Sequence, residues 1–308
     1  MLSAPWVGTF ATLPLMTDHP MIAAADRATV IVVSFNSGHC IAPLAEGLKS
    51  LPQVVVVDNA STDDTATQVA RHLPQARWRP LGRNLGFGVA NNRGLAEATT
   101  EFVLLLNPDC IVEPGAIAAL VATADRFPEA AAVAPQLLDR QGRLDVSYRW
   151  RSDRWASRGP GADGPACVGF ASGACLLIRS SAMRSIGGFD EAFFLYYEDE
   201  DLCLRLQDQC GPLVLDPLAQ VQHLSRASVG GRHRLRSEYL RGFHHIQSKF
   251  LFRRKHGGHS VGPARRWGYA LVAAAETVLR VLLLDPRRAA RCVGRVAGVL
   301  QAPHPPRA

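Results

Sequence analysis

The sequence predicts an α/β fold: a mainly parallel, twisted sheet flanked by helices, with a C-terminal helical appendage. Three observations carry this expectation. Apolar, β-branched runs of strand length recur at residues 29–35 (TVIVVSF), 53–57 (QVVVV) and 102–106 (FVLLL). Segments of helical spacing separate them. Polar residues follow each run. Continuous apolar runs mark strands buried on both faces, and their alternation with helices marks parallel pairing.

The elements follow in order. Ile41, Leu44, Ala45 and Leu48 stand at helical spacing, and Pro52 stops the pattern. Ser61-Thr62-Asp63-Asp64 supplies N-cap chemistry for a helix over 63–73. Residues 86–98 read as the next helix and the Ala-rich residues 116–126 as another. Residues 145–168, rich in Arg, Gly and Pro, read as one long functional loop or a disordered stretch, and carry Trp150 and Trp155. Residues 169–179 (GFASGACLLIR) return to a glycine-punctuated strand. Gly187-Gly188-Phe189-Asp190 is a turn, and Leu202, Leu206 and Cys210 continue an aromatic-acidic run at helical spacing.

A chain of 308 residues holds one large domain, or one domain with an appendage. With 47% hydrophobic and 20% charged residues it is not a disordered chain. A mean hydropathy near zero excludes a polytopic membrane protein. The seven cysteines are odd in number and lack C-x-x-C spacing, which reads as reduced thiols in a cytoplasmic protein. Residues 1–27 show no secretion signal. They read as a poorly ordered extension, or as sequence ahead of a true start at Met16 or Met21.

The net charge of +7 hides an asymmetry. Residues 225–308 hold 17 Lys and Arg against 3 Asp and Glu, whereas residues 1–224 hold 17 against 24. The basic end points to a polyanionic partner: nucleic acid, anionic lipid or a pyrophosphate-bearing substrate.

Ligands of parallel sheets bind at the carboxyl ends of strands. The candidate loops are therefore Ser34-Phe35-Asn36, Asp58-Asn59-Ala60-Ser61 and Asn107-Pro108-Asp109. Asp58 taken alone is equally a turn or cap residue. The entry Asn84-Leu85-Gly86-Phe87-Gly88, with Asn91, Asn92 and Gly94 beyond it, can accept phosphate at a helix start. It has neither dinucleotide-fingerprint nor P-loop spacing, which argues against a dinucleotide-dependent oxidoreductase and a P-loop NTPase. The carboxylates Glu198-Asp199-Glu200-Asp201 precede a helix, where acids suit the macrodipole. After the apolar run 193–197, one of them lies against a partly buried wall and would serve as a general base. His223 would reach Asp109 only if the chain returns to the same sheet edge. The two would then make a site for Mg²⁺ or Mn²⁺ beside phosphates.

Taken together, VIVVSFN (30–36), VVVVDNASTDDT (54–65), NLGFGVANNRG (84–94), LLLNPD (104–109), GFASGACLLIR (169–179) and GGFDEAFFLYYEDEDLCLRL (187–206) resemble the family 2 glycosyltransferases of the GT-A fold. The resemblance is nearest to the branch of bacterial rhamnosyltransferases. It implies a GT-A catalytic domain over residues 28–258, with a Rossmann-like nucleotide-binding half, and a basic helical tail over 259–308. It places Ser34, Asn36, Asp58 and Asn59 around the base and ribose of a nucleotide sugar, and Asn84, Gly86 and Asn91 near the ribose and diphosphate. It makes Asp109 and His223 the metal ligands. Asp199 becomes the base that deprotonates the acceptor hydroxyl, with Glu198 beside it, while Asp201 and Arg205 serve the scaffold. The implied reaction is a single inverting displacement that needs no covalent enzyme intermediate. Asn107 stands where the DXD motif has its first carboxylate, which weakens the case for strict metal dependence. The Q-x-x-R-W motif of processive synthases is absent after the Glu-Asp pair, so one sugar is added per encounter.

Within the basic end, Leu240, Phe243, Ile246, Phe250 and Leu251 recur at helical spacing among arginines and histidines. Residues 267–284 are apolar apart from Glu276 and Arg280, short for a membrane span and suited to an interfacial helix. A polyprenyl-diphosphate-linked glycan acceptor and an anionic membrane surface would account for both features; the alternative is that these helices simply pack on the catalytic domain and leave a solvated basic face. The expected location is the inner face of the plasma membrane. Trp150 and Trp155 would stack on an acceptor sugar, or pack on their own domain. Four competing readings remain: transfer of another hexose from UDP-glucose, UDP-galactose or UDP-N-acetylglucosamine, a sugar-1-phosphate nucleotidyltransferase, a basic nucleic-acid-binding protein, and a transferase relative that has lost activity. The nucleic-acid reading leaves the Glu-Asp pair and NPD without a purpose, so no nucleic-acid partner is expected.

Overall fold

The computed structural model describes residues 25–150, 161–224, 234–257 and 261–301. The expectations for residues 1–24 and for Trp155 lie outside these. β1 (Ala28–Ser34) and β2 (Val54–Asp58) are buried along their whole length, and α1 (Gly38–Leu48) connects them. α2 (Thr65–His72) leads to the edge strand β3 (Arg77–Pro80), and α3 (Phe87–Leu95) leads to β4 (Phe102–Leu106). β5 (Cys110–Ile111) follows at once. α4 (Pro114–Arg126) opens on a proline, whose missing N–H has no partner at a helix start anyway.

β6 (Ala132–Leu138), β7 (Leu144–Asp145), β8 (Tyr148–Arg149), β9 (Ala166–Val168), β10 (Phe170–Ala171) and β11 (Cys175–Arg179) come next. The chain continues through α5 (Ser180–Ser185), α6 (Glu198–Gln209) and β12 (Leu213–His223). It closes with α7 (Arg234–His256), α8 (Pro263–Leu282) and α9 (Pro286–Leu300).

The main sheet runs β3-β2-β1-β4-β11-β6-β12-β5. β3, β2, β1 and β4 pair in parallel, as do β6 and β12, whereas β11 is antiparallel to both β4 and β6. Alternate residues of one strand feed opposite cores. Val30, Val32, Leu104 and Leu106 pack with Ile41, Leu44 and Leu48 of α1 and Ile117 and Leu120 of α4. Ile31, Val103 and Leu105 pack with Met183 of α5 and Leu202 and Leu206 of α6.

Three features depart from the sequence reading. β3 has the sequence RWRP, with no apolar run to announce it. β6 contains Pro135 and merges with an Ala-rich stretch; β12 bulges between Asp216 and Gln220, where it meets Pro135 and Gln136. A bulge accommodates a residue that has no ladder N–H. The expected strand over 169–179 is two strands: β10 pairs with β8 in a separate ribbon, and β11 joins the main sheet. Ser172 and Gly173 lie at the break. The expected long loop likewise carries short strands, with β7 on β6 and β9 on β12.

The basic helices pack on one another and on the body that holds the main sheet. Ile246, Phe250, Ala270 and Val299 form a small core of their own. Gly242 and Gly294 allow α7 and α9 to touch, because a Cβ at either would collide with a carbonyl of the other helix (that of Arg291 or Tyr239). Asp201, fully buried on α6, binds α7. It receives Lys255 Nζ at 2.7 Å and His256 Nε2 at 2.7 Å, together with Arg205 Nε at 2.8 Å. Lys255 also reaches Asp190 at 2.6 Å. Removing a buried carboxylate strands its cations. Asp201→Ala should therefore destabilise the protein by about 3 kcal/mol, read as a lower urea midpoint at neutral pH.

Candidate active site

A cavity of about 550 Å³ opens at the carboxyl ends of β1, β2 and β4. Asn59, Asn84, Gly86, Asp109, Glu198, Asp199 and His223 all line it. The rest of its wall comes from the basic helices: Ser237, Leu240, Arg241, His244 and His245 of α7, and Arg291 and Arg295 of α9.

The carboxylates owe their place to a strained turn. Tyr196 and Tyr197 both hold φ near +70°, a left-handed conformation that costs a non-glycine residue about 1–3 kcal/mol. Tyr197 caps α6, so the helix starts with Glu198 and crowds four acids into its first turn. Glu198 is buried, and its Oε2 has no hydrogen-bond partner among the described residues. Burial, then the neighbouring Asp199 charge, pushes its carboxyl well above the usual range. Burial also raises Asp199, but the backbone N–H groups of Gly173, Glu200 and Asp199 itself, and then the Arg149 charge, oppose that rise. Gly173 donates to its Oδ2 at 3.4 Å and Glu200 to its Oδ1 at 3.0 Å. Glu200 is pushed up to about 8 by burial and the Asp199 charge, against the pull of Arg149 3.3 Å away. Adjacent buried carboxylates do not all ionise at neutral pH. Asp199 has backbone donors on both oxygens and is the one placed to carry the charge.

The Gly173 donor is a product of the break between β10 and β11. Arg149, on β8, stacks over Phe170 of β10 at 4.2 Å within the small ribbon, and its pairing with Glu200 at 3.3 Å ties that ribbon to α6.

Asp109 follows β4, and the chain does return to it. β12 pairs with β5 so that His223 lies opposite Cys110, and His223 Nε2 stands 3.5 Å from Asp109 Oδ1. The donor set fits a divalent cation: one carboxylate and one imidazole at the wall of the cavity. No group of three or more His, Cys, Asp or Glu side chains stands ready for a metal among the described residues. Diphosphate oxygens and water would complete the shell, the usual mode for Mg²⁺ beside phosphates.

Asn59 donates from Nδ2 to the Gly86 carbonyl at 3.1 Å and accepts from Leu85 N at 2.8 Å. Asn84 accepts from Gly86 N at 3.0 Å. Gly86 holds φ +93°, and a Cβ there would strike the Phe194 carbonyl, so no other residue fits this crossing. Four expected donor residues are not on the cavity wall. Ser34 donates to Asp58 Oδ1 at 3.0 Å, and Asp58 accepts from Ser61 N at 2.9 Å. Asn36 accepts from Thr62 N at 2.8 Å, and Asn91 donates to the Phe87 carbonyl at 3.0 Å. Their polar atoms are spent on shaping the loops that Asn59 and Gly86 present. Trp150 packs edge-on against Tyr148 and is also absent from the wall.

Sequence reasoning missed the wall built by α7 and α9. Arg241, His244, His245, Arg291 and Arg295 read as parts of basic amphipathic helices, and nothing in their spacing names the cavity they face. His244 stacks on Phe194 at 4.2 Å, which ties α7 to the aromatic run before α6.

Residues 29–187, just over half of the chain, match glycosyl transferase family 2. The chain belongs to this family. As a family 2 glycosyltransferase it has curated relatives of similar length. It is 31% identical over 277 residues to the N-acetylglucosaminyl-diphospho-decaprenol L-rhamnosyltransferase of Mycobacterium tuberculosis, covering 78% of this chain and 88% of that one. It is 30% identical to the low-salt glycan biosynthesis hexosyltransferase Agl10 of Haloferax volcanii, over 58% of this chain and 61% of that one. Among solved structures it resembles the mannosyltransferase of Pyrobaculum calidifontis in complex with GDP-Man and Mn²⁺. The TM-score is 0.56, at 17% identity, covering 89% of this chain and 87% of that one. S. aureus TarS with UDP-GlcNAc gives 0.53, at 18% identity, covering 87% and 90%. The expected GT-A fold is the one this family 2 glycosyltransferase has.

The carboxyl of Glu198 is raised on folding. Its contribution to stability is therefore full below the ordinary glutamate range, near 4.3, and is lost as the pH rises toward the folded value. Glu198→Gln should raise Tm by about 3–5 °C at pH 8 and leave it unchanged near pH 4. Thermal melts of both proteins at the two pH values check this.

Proposed function

We propose that this glycosyltransferase moves one sugar, best matched by L-rhamnose from dTDP-rhamnose, to a hydroxyl of a polyprenyl-diphosphate-linked glycan in cell-envelope synthesis. The observation that carries the reading is one cavity with a carboxylate–imidazole pair, Asp109 and His223, and a raised carboxylate cluster, Glu198 and Asp199, on the same wall. The rhamnose donor and the lipid diphosphate acceptor rest on the 31% identical relative of matching length.

The donor base and ribose lie over Asn59 and Asn84 at the ends of the strands. Asp109 and His223 would hold Mg²⁺ or Mn²⁺, whose charge would offset that developing on the departing diphosphate. Asp199 takes the proton of the acceptor hydroxyl while its oxygen attacks the anomeric carbon from the side opposite the nucleotide. The bond from that carbon to the diphosphate breaks, and the configuration inverts. Glu198, neutral at the same wall, donates a hydrogen bond to an acceptor oxygen. Asp199→Asn should lower kcat by about 10²–10⁴-fold. Thermal stabilisation by dTDP-rhamnose with Mn²⁺ should persist in the variant. Among UDP-glucose, UDP-galactose, UDP-N-acetylglucosamine, GDP-mannose and dTDP-rhamnose, only the last should stabilise the wild type strongly. Retained turnover in Asp199→Asn would overturn the base assignment, and stabilisation by a UDP-sugar alone would favour the second hexose reading.

The protein works at an anionic membrane surface in this reading. No helix among the described residues is long and apolar enough to cross a membrane. α8 instead exposes Trp267, Leu271, Val278 and Leu282, each at least 60% accessible. Leu283 and Leu284 extend this face, and Arg265, Arg266, Arg287 and Arg288 flank it. Apolar insertion and arginine attraction act together at an interface. Leu271→Glu with Leu282→Glu should lower co-sedimentation with phosphatidylglycerol vesicles about tenfold or more. Equal sedimentation of the variant and the wild type would remove the membrane from the account.

A further inference from the structure

We infer that Arg241, Arg291 and Arg295 form a subsite for the acceptor's diphosphate, in the part of the cavity walled by α7 and α9. The inference rests on the lipid-linked acceptor proposed above and goes beyond it to the residues that would recognise it.

Arg241 and Arg291 share one carboxylate. Glu238 accepts from Arg241 Nη1 at 3.2 Å and from Arg291 Nε at 2.6 Å. Two guanidinium groups on one carboxylate leave a positive charge in excess at the cavity wall. Arg295 adds a third, paired at 3.2 Å with Glu276 of α8. All three arginines remain partly accessible, and all three line the cavity that holds Asp199. A planar guanidinium matches two phosphate oxygens at once, which an ammonium does not.

His245 stands among them. Burial, helped by Arg295, Lys249 and Arg291, lowers it to about 4, so it is neutral at physiological pH. Its Nδ1 is buried with no hydrogen-bond partner among the described residues. Tyr196 lies close to Arg241 and Arg291 and also to Glu198. The arginine cluster and the neighbour of the proposed base thus meet around one side chain.

The position also suits the rest of the acceptor. The Arg295–Glu276 pair joins α9 to α8, and α8 carries the exposed apolar face. The sugar would sit at Asp199, the diphosphate at the arginines, and the prenyl chain would leave along α8. The diphosphate of the donor has its own place at Asp109 and His223, so the arginines are a second anion site in the same cavity.

Calorimetric titration of the full chain with farnesyl diphosphate, in EDTA to silence the metal site, tests this. Inorganic pyrophosphate and farnesol serve as the comparison arms. Farnesyl diphosphate should bind more tightly than either. Arg241→Gln and Arg291→Gln should each weaken it about tenfold or more, and Arg291→Lys should recover part of the loss. The Kd of dTDP-rhamnose with Mn²⁺ should stay within about twofold. Unchanged farnesyl diphosphate binding in both Gln variants would overturn the subsite, as would a matching loss of nucleotide-sugar binding. Pyrophosphate binding as tightly as the farnesyl compound would remove the lipid from it. If farnesyl diphosphate binds through the arginines but no nucleotide sugar stabilises the protein, the proposed donor fails and the subsite stands.

Discussion

The buried carboxylate of Asp201 is the constraint on which the geometry of the cavity depends. A carboxylate taken out of water costs several kcal/mol unless cations meet it. Here they come from two helices: Arg205 from its own, and Lys255 and His256 from the end of α7. Satisfying Asp201 therefore pulls the long basic helix onto the helix that carries Glu198 and Asp199. Ser248 adds a hydrogen bond to the Leu195 carbonyl at 2.9 Å, and His244 stacks on Phe194. The aromatic run before α6 is thus held between the sheet and α7.

That docking completes a cavity the sheet alone would leave open. Strand ends supply Asn59, Asn84 and Asp109, β12 supplies His223, and α6 supplies the raised carboxylates. The remaining wall is basic. One space then contains acids that resist ionisation and arginines in excess of their partners. Such a division suits a reaction between two anionic substrates, one of which must lose a proton. The strain at Tyr196 and Tyr197 belongs to the same design, since it aims the first turn of α6 into the cavity.

Much of this was legible in the chain. Strands β1, β2 and β4 were readable because they are buried on both faces and so are apolar at every position. The pairing of Asp109 with His223 was readable only as a condition: that the chain return to the same edge. β12 meets that condition by pairing with β5. Ser34, Asn36, Asp58 and Asn91 carry the right chemistry in the right places, yet they hydrogen-bond to neighbouring backbone and side chains. Loop position brings a residue near a site, and local hydrogen bonds decide whether its side chain is left over to face a ligand. β3 and β6 escaped notice for other reasons, one being a charged edge and the other a strand interrupted by proline.

The sequence by itself determined the strands β1, β2 and β4, the family, and the residues that carry charge at the strand ends and at the start of α6. Each of these is local: an apolar run, a loop after it, a motif of a few residues. Only the tertiary structure decided that the basic end of the chain is a wall of the candidate site. Arg241 and Arg291 are fifty residues apart in the chain. They meet on Glu238 because Gly242 and Gly294 let two helices touch and because Asp201 draws one of them in. A charge pattern along a helix says that a polyanion is welcome, and packing between distant helices says where it would bind.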